Sequence, residues 1–213
     1  MMRRLSRVLL TGALLVTVTA PAFGQQADAA WQHKWYWGGQ GGVFLYKDAA
    51  GTQTAADFGG HWLITGTHSA LFLGIDRLAF SGTPAVQISA ADPASIATFS
   101  AGQRLQAMLL AMPSTGAVQL YGGIGVAIEQ ITDAQPATGS TATQSEIDAV
   151  ASKAYPIFSG GFQMQFGGRW ALFGTYQYMP SADGFLITSE QHAITGGLRF
   201  ALTSSHEDVV DNH

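Results

Sequence analysis

The side chains with chemical potential are scattered through the chain rather than gathered in one motif. Arg104, Glu129 and Lys153, with Asp57 and His61, share faces of alternating stretches with Gly, Ala, Gln and Thr. Charged groups brought together on one enclosed face can do two things. They can line a gated ion path, in which alternative salt bridges open or close a narrow passage. They can equally form a satisfied structural network, because an unpaired buried charge is costly. The network is the reading adopted, and Glu129 and Lys153 are expected to meet across neighbouring strands.

Other chemistries find little support. His68-Ser69 is an adjacent His–Ser pair, but it falls in a tight turn. His192 shares its face with large residues near Tyr176, without an orienting carboxylate, and reads as an amphipathic interface residue. No catalytic residue is assigned. With no Cys, a disulfide scaffold and a thiolate metal site are excluded. No His pair has a zinc pattern, and Asp133, Glu146 and Asp148 do not match a calcium-loop spacing. Trp37-Gly38-Gly39-Gln40-Gly41-Gly42 is dense in Gly but lies within a strand, where Gly allows close packing and curvature. No metal or cofactor is expected.

The elements that must position these residues are strands. Period-2 alternation recurs along the chain. Val118, Leu120, Ile124, Val126 and Ile128 share one face, opposite Gln119, Tyr121, Ala127 and Glu129. Eight such segments are predicted, over 34–46, 54–65, 69–80, 98–112, 117–130, 151–166, 169–179 and 187–201. Short links (66–68, 113–116, 167–168) alternate with longer ones (47–53, 81–97, 131–150, 180–186). Transmembrane barrels alternate short turns and long loops in this way.

Composition says where such a chain can live. Of 213 residues, 47% are hydrophobic and only 11% charged, against about 25% in soluble domains. Residues 1–24 read as a cleavable export signal. Arg3, Arg4 and Arg7 precede an apolar run from Val8 to Ala20, then Ala22 and Gly24 at a small-residue cleavage site. That run is too short for a spanning helix, which needs roughly 20 residues. Without the signal the net charge falls near −7, because three Arg leave and all 14 acids remain. A nucleic-acid partner is therefore not expected. Residues 25–33 form a short leading segment, 34–202 the barrel and 203–213 a polar tail.

The predicted fold is all-β: an eight-stranded antiparallel up-and-down transmembrane β-barrel. Too few charges are present to solvate the outside of a soluble barrel, whereas small and polar residues suit a narrow lumen. A closed barrel pairs every backbone group internally, as lipid requires. Trp35, Trp37, Trp62, Phe166, Trp170 and Phe200 should form one interfacial girdle, and Phe58, Phe80, Phe99, Phe158, Tyr176 and Tyr178 the other.

This pattern resembles the small eight-stranded outer-membrane barrels, the OmpA/OmpX-like family. The resemblance covers about residues 34–200. It rests on strand count, loop alternation and the last strand, His192-Ala193-Ile194-Thr195-Gly196-Gly197-Leu198-Arg199-Phe200. It implies outer-membrane lipid as surroundings, with Phe200 as the aromatic read by the barrel-insertion machinery. A tail follows Phe200, whereas family members often end at that aromatic. No peptidoglycan-binding domain is expected after the barrel, so anchoring to the cell wall is not implied. The expectation is a monomer with a structural or surface-binding role, a largely filled lumen and mobile acidic loops. A narrow pore for ions or small solutes is the alternative; a lipid-modifying enzyme ranks below it.

Overall fold

The computed structural model describes residues 32–48, 51–113, 118–166 and 169–204. The predicted signal, most of the leading segment, the tail from 205 and two of the short turns lie outside the described residues. In chain order the elements are β1 (Lys34–Asp48), β2 (Gly51–Thr65), β3 (Ser69–Phe80), β4 (Ala85–Gln87), β5 (Ile96–Thr98), β6 (Ala101–Ala111), β7 (Val118–Ile131), β8 (Gln135–Pro136), α1 (Gln144–Val150), β9 (Ser152–Phe166), β10 (Trp170–Met179) and β11 (Gln191–Ser204).

Eight strands close into a barrel in the order β1-β11-β10-β9-β7-β6-β3-β2. Every neighbouring pair is antiparallel, including the seam between β1 and β11. β4, β5 and β8 form a separate small sheet. The start of β1, the end of β11 and residues 66–68 between β2 and β3 share one end of the barrel, here the turn end. The other, the loop end, carries the small sheet and α1.

Alternation decides which side chain goes where. On β7, Leu120, Ile124 and Val126 face outward at 53–63% exposure, whereas Gln119, Tyr121, Ala127 and Glu129 are buried. On β3, Leu71, Leu73 and Ile75 face outward, whereas Phe72, Asp76 and Leu78 are buried. The result is a belt of large apolar side chains around the whole outer surface. Such a surface is unfavourable in water, and a soluble monomer rarely exposes so much contiguous apolar area. It matches a hydrocarbon solvent.

Trp35, Trp37, Trp62, Phe166 and Trp170 stand half-exposed near the turn end. Trp37 contacts Trp62 edge-on at 4.5 Å, and Trp170 contacts Phe200 at 4.9 Å. Toward the loop end, Phe58, Phe158 and Tyr176 face outward, and Tyr178 packs against Phe158 at 6.2 Å. Phe80 and Phe99, expected in that second girdle, instead point inward. They join Phe44 and Tyr46 in a buried aromatic cluster with centroids 4.9–6.3 Å apart. Phe80 shares the parity of Asp76 and Leu78, which commits it to the lumen.

Three boundaries also differ. The link expected over 47–53 is shorter, because β1 runs to Asp48 and pairs it with Gly51. Gly51 takes φ +119°, which favours Gly. Polar residues on both faces hid this extension. The segment expected from 98 divides, since Ile96–Thr98 pairs in the small sheet and the barrel strand starts at Ala101. The last strand starts at Gln191 rather than 187 and continues past Phe200 to Ser204, which pairs with Lys34.

A barrel this narrow brings adjacent backbones close. A Cβ on Gly42 would lie 1.9 Å from the Ile194 carbonyl oxygen, whereas one on Gly39, facing outward, meets nothing within 4 Å. Gly42→Ala should therefore destabilise the barrel by about 1–3 kcal/mol or block closure, with Gly39→Ala close to neutral. Urea unfolding of both variants in detergent micelles, followed by Trp fluorescence, checks this.

Candidate functional site

Two arginines organise the lumen, in separate layers. The first layer lies toward the loop end. Arg104 on β6 is opposite Asp76 on β3 in the register. Its guanidinium pairs with Asp57 at 2.5 Å and Asp76 at 3.1 Å, all three being buried. Asp76 also accepts from Gln40 at 2.5 Å and from Gln106. Gln106 accepts in turn from Gln177 on β10 at 2.8 Å. The network thus ties β1, β2, β3 and β6 to the far wall. Charge-assisted bonds of this kind are stronger than neutral ones.

The second layer lies toward the turn end. Arg199 on β11 donates to His61 Nε2 at 2.9 Å and to Gln163 Oε1 at 2.6 Å. The first bond leaves the ring proton of His61 on Nδ1. Gln163 donates to Gln119 at 2.9 Å. The Arg199 guanidinium also lies 4.0 Å above the Phe173 ring, a cation–π contact. Phe72 stacks on His61 at 5.0 Å.

Arg104, Asp57 and His61 therefore all lie in the lumen, and Arg104 and Asp57 meet. Glu129 is fully buried opposite Arg104 in the register, yet neither carboxylate oxygen accepts a hydrogen bond from a described residue. Arg104 Nε and Nη1 also make no hydrogen bond among the described residues. Lys153 is opposite Glu129 in the register but does not meet it. Its ammonium donates to the Asp183 carbonyl at 2.7 Å. The expected Glu129–Lys153 pair is thus not formed. Lys153 lies near the loop end of β9, where its long stem reaches a solvated carbonyl and leaves the charge in water.

Asp76, Gln40, Gln106, Gln163, Gln177 and Arg199 were missing from the expected network. Asp76 lies in a strand apolar on both faces, so parity was weak there. The available signal was the acid itself, since a carboxylate among such neighbours is rarely buried unless paired. The glutamines carried a second signal, because they recur on the small-residue parity of several strands.

The loops, expected to be mobile, build a folded cap instead. β5 joins β4 on one side and β8 on the other, which brings the two longest loops together. Asp133 accepts from the backbone and hydroxyl of Ser100 and from the backbone of Ala101. Ile147 of α1, with Phe185, Leu186 and Ile187, is buried. Thr143 and Glu146 form a capping box at the start of α1. The backbone N–H and hydroxyl of Thr143 hold the Glu146 carboxyl below its ordinary range. Outside the barrel wall, Tyr176 hydrogen-bonds His192 Nδ1 at 2.7 Å, and Lys47 pairs with Glu190 at 2.6 Å. Among the described residues, no cluster of His, Cys, Asp or Glu could hold a metal, and no helix is long and apolar enough to cross a membrane.

Two outcomes follow. Arg104→Met strands two carboxylates in the lumen and should cost about 3–5 kcal/mol of stability. Lys153→Met should change it by less than about 0.5 kcal/mol. Equilibrium unfolding of both variants separates them. For the capping box, the folded-state pKa of Glu146 is depressed. Its contribution is present above the ordinary glutamate range and is lost as pH falls through the lowered value. Amide exchange at Glu146 should accelerate relative to barrel amides on acidification, and Thr143→Ala should abolish the difference.

No protein-family model matches the sequence, and no curated protein matches it by sequence. Solved structures do match. Neisserial surface protein A superposes with a TM-score of 0.58 at 10% identity, over 79% of this chain and 97% of that one. Ail, the attachment invasion locus protein of Yersinia pestis, gives 0.46 at 12% identity over 79% and 97%. The outer membrane protein OprG of Pseudomonas aeruginosa gives 0.44 at 12% identity over 80% and 98%. At these identities the likeness is one of fold, and the chain has the fold of the small eight-stranded outer-membrane β-barrels.

Proposed function

We propose that the chain is exported to the outer membrane and serves there as a monomeric barrel with a structural or surface-binding role, without catalysis. The observation that carries this reading is the combination of an apolar outer belt with a filled lumen. Outer-membrane lipid solvates the belt, and the girdle aromatics, Trp35, Trp37, Trp62, Trp170, Tyr176 and Tyr178, sit at its edges. Arg3, Arg4 and Arg7 with the apolar run behind them supply the export signal. Phe200, on the outward parity of β11, is the aromatic offered to the insertion machinery.

The competing reading is a narrow pore for ions or small solutes. The unmet polar atoms of Glu129 and Arg104 favour it. A conducting path, however, must pass Phe44, Tyr46, Phe80 and Phe99 at one end and Tyr36, Leu63, Phe72 and Phe173 at the other, all buried. Opening it means displacing packed rings, which protein interiors resist. The lumen charges act as internal braces, and interaction falls to the cap.

The experiment is a heat-modifiability gel on outer membranes from cells expressing the full chain, followed by planar-bilayer recording of the purified protein. The expected result is an outer-membrane band whose migration shifts on boiling, without stepwise conductance. A soluble periplasmic band without a shift would sink the barrel reading. Steady single-channel steps that Glu129→Gln alters would favour the pore.

A further inference from the structure

β4 occupies the end of the three-stranded sheet, and among the described residues no strand pairs with its other side. The hydrogen-bond pattern shows which groups are open. The Phe99 N–H donates to the Pro84 carbonyl at 3.3 Å, and the Ile88 N–H donates to the Ser95 carbonyl at 2.9 Å. Residues 84, 86 and 88 therefore direct their backbone groups toward β5. In an antiparallel strand the intervening residues point the opposite way. The N–H and C=O of Ala85 and Gln87 thus face away from the sheet.

They face a cleft of about 340 Å³. Ala85, Val86 and Gln87 all line it. The opposite wall is Leu186, Ile187, Thr188 and Ser189, with Tyr46 and Lys47 behind. That wall is fixed. Leu186 and Ile187 are buried, the Leu186 N–H donates to the Val150 carbonyl at 3.1 Å, and the Lys47 N–H donates to Ser189 Oγ at 2.9 Å. The cleft therefore pairs an open row of backbone donors and acceptors with a firm, partly apolar wall.

The charge around it is predominantly negative: Asp48 lines the cleft beside Lys47. Asp92, Asp133, Glu146, Asp148 and Asp183 lie on the cap. Its two lysines are engaged, Lys47 with Glu190 and Lys153 with the Asp183 carbonyl. The summed field favours a cationic visitor and repels an anionic one.

We propose that this cleft docks an extended, basic polypeptide segment of a partner protein, added as a further strand on the β4 edge. The inference rests on the surface-binding reading above and names its partner class. Backbone bonds to Ala85 and Gln87 supply affinity, and the acidic cap supplies preference for Lys or Arg on alternate positions.

The test uses the full barrel in detergent micelles and a fluorescent, alternating Lys-Val octapeptide, with a Glu-Val octapeptide as the opposite charge. Ala85→Pro removes only an N–H that points into the cleft and leaves the β4–β5 bonds intact. Gln87→Pro repeats the test at the second open position. The expected result is anisotropy-detected binding of the Lys-Val peptide alone, weakened by salt. Each proline variant should reduce it by roughly tenfold, the effect of losing one or two backbone hydrogen bonds. Equal binding by wild type and both heat-modifiable variants would overturn edge docking and leave only surface charge. Absence of binding by a heat-modifiable wild type would overturn the inference but spare the barrel reading. Loss of the heat shift in the wild type would remove both.

Discussion

Closure is the constraint on which everything else depends. In hydrocarbon, every backbone N–H and C=O needs a partner within the protein. β1 meets β11 in an antiparallel register that shifts once, between Trp35 and Tyr36, so the ring is closed without an edge facing lipid. Eight strands fix a small circumference, and the small circumference fixes what the interior can hold. Inward Gly residues such as Gly42 follow directly, because neighbouring carbonyls occupy the space of a side chain.

The interior then has to be filled by a chain with few charged residues. Arg104 and Arg199 are its largest fully buried side chains. Each is compensated differently. Arg104 has two carboxylates in contact, whereas Arg199 has a neutral imidazole, an amide oxygen and an aromatic face. Well-packed apolar groups stabilise a core as well as buried ion pairs do. What the polar layers add is direction, because each bond links a stated pair of strands and a shifted register would break it. They are clasped between aromatic packing at the loop end and apolar packing at the turn end.

Much of this architecture was legible in the sequence, and the reasons differ by element. β7 alternates between large apolar and mostly small or polar residues, so its two faces could be read directly. β3 is apolar on both sides, and there parity failed to mark Asp76. Glu129 and Lys153 were placed opposite one another correctly in register, but register fixes backbones, not the tip of a long side chain. The loops were least legible. β4, β5 and β8 are short, and a two- or three-residue strand has no period to detect. The Thr143–Glu146 spacing is a capping-box signal for α1 that the loop reading passed over. The cap's form comes from contacts between loops far apart in sequence, which no local pattern encodes.

The unequal treatment of the two arginines has an electrical consequence. Asp57, Asp76 and Glu129 cluster around Arg104 in the loop half, whereas Arg199 stands without a carboxylate in the turn half. Within the lumen the charges are therefore unevenly placed along the axis, with the carboxylates toward the loop end and Arg199 toward the turn end. Pairing inside a closed wall lets these charges cross the bilayer as a screened unit, so the chain gains most by closing as it inserts. A sequence that inserted first and closed later would have to carry naked carboxylates through hydrocarbon.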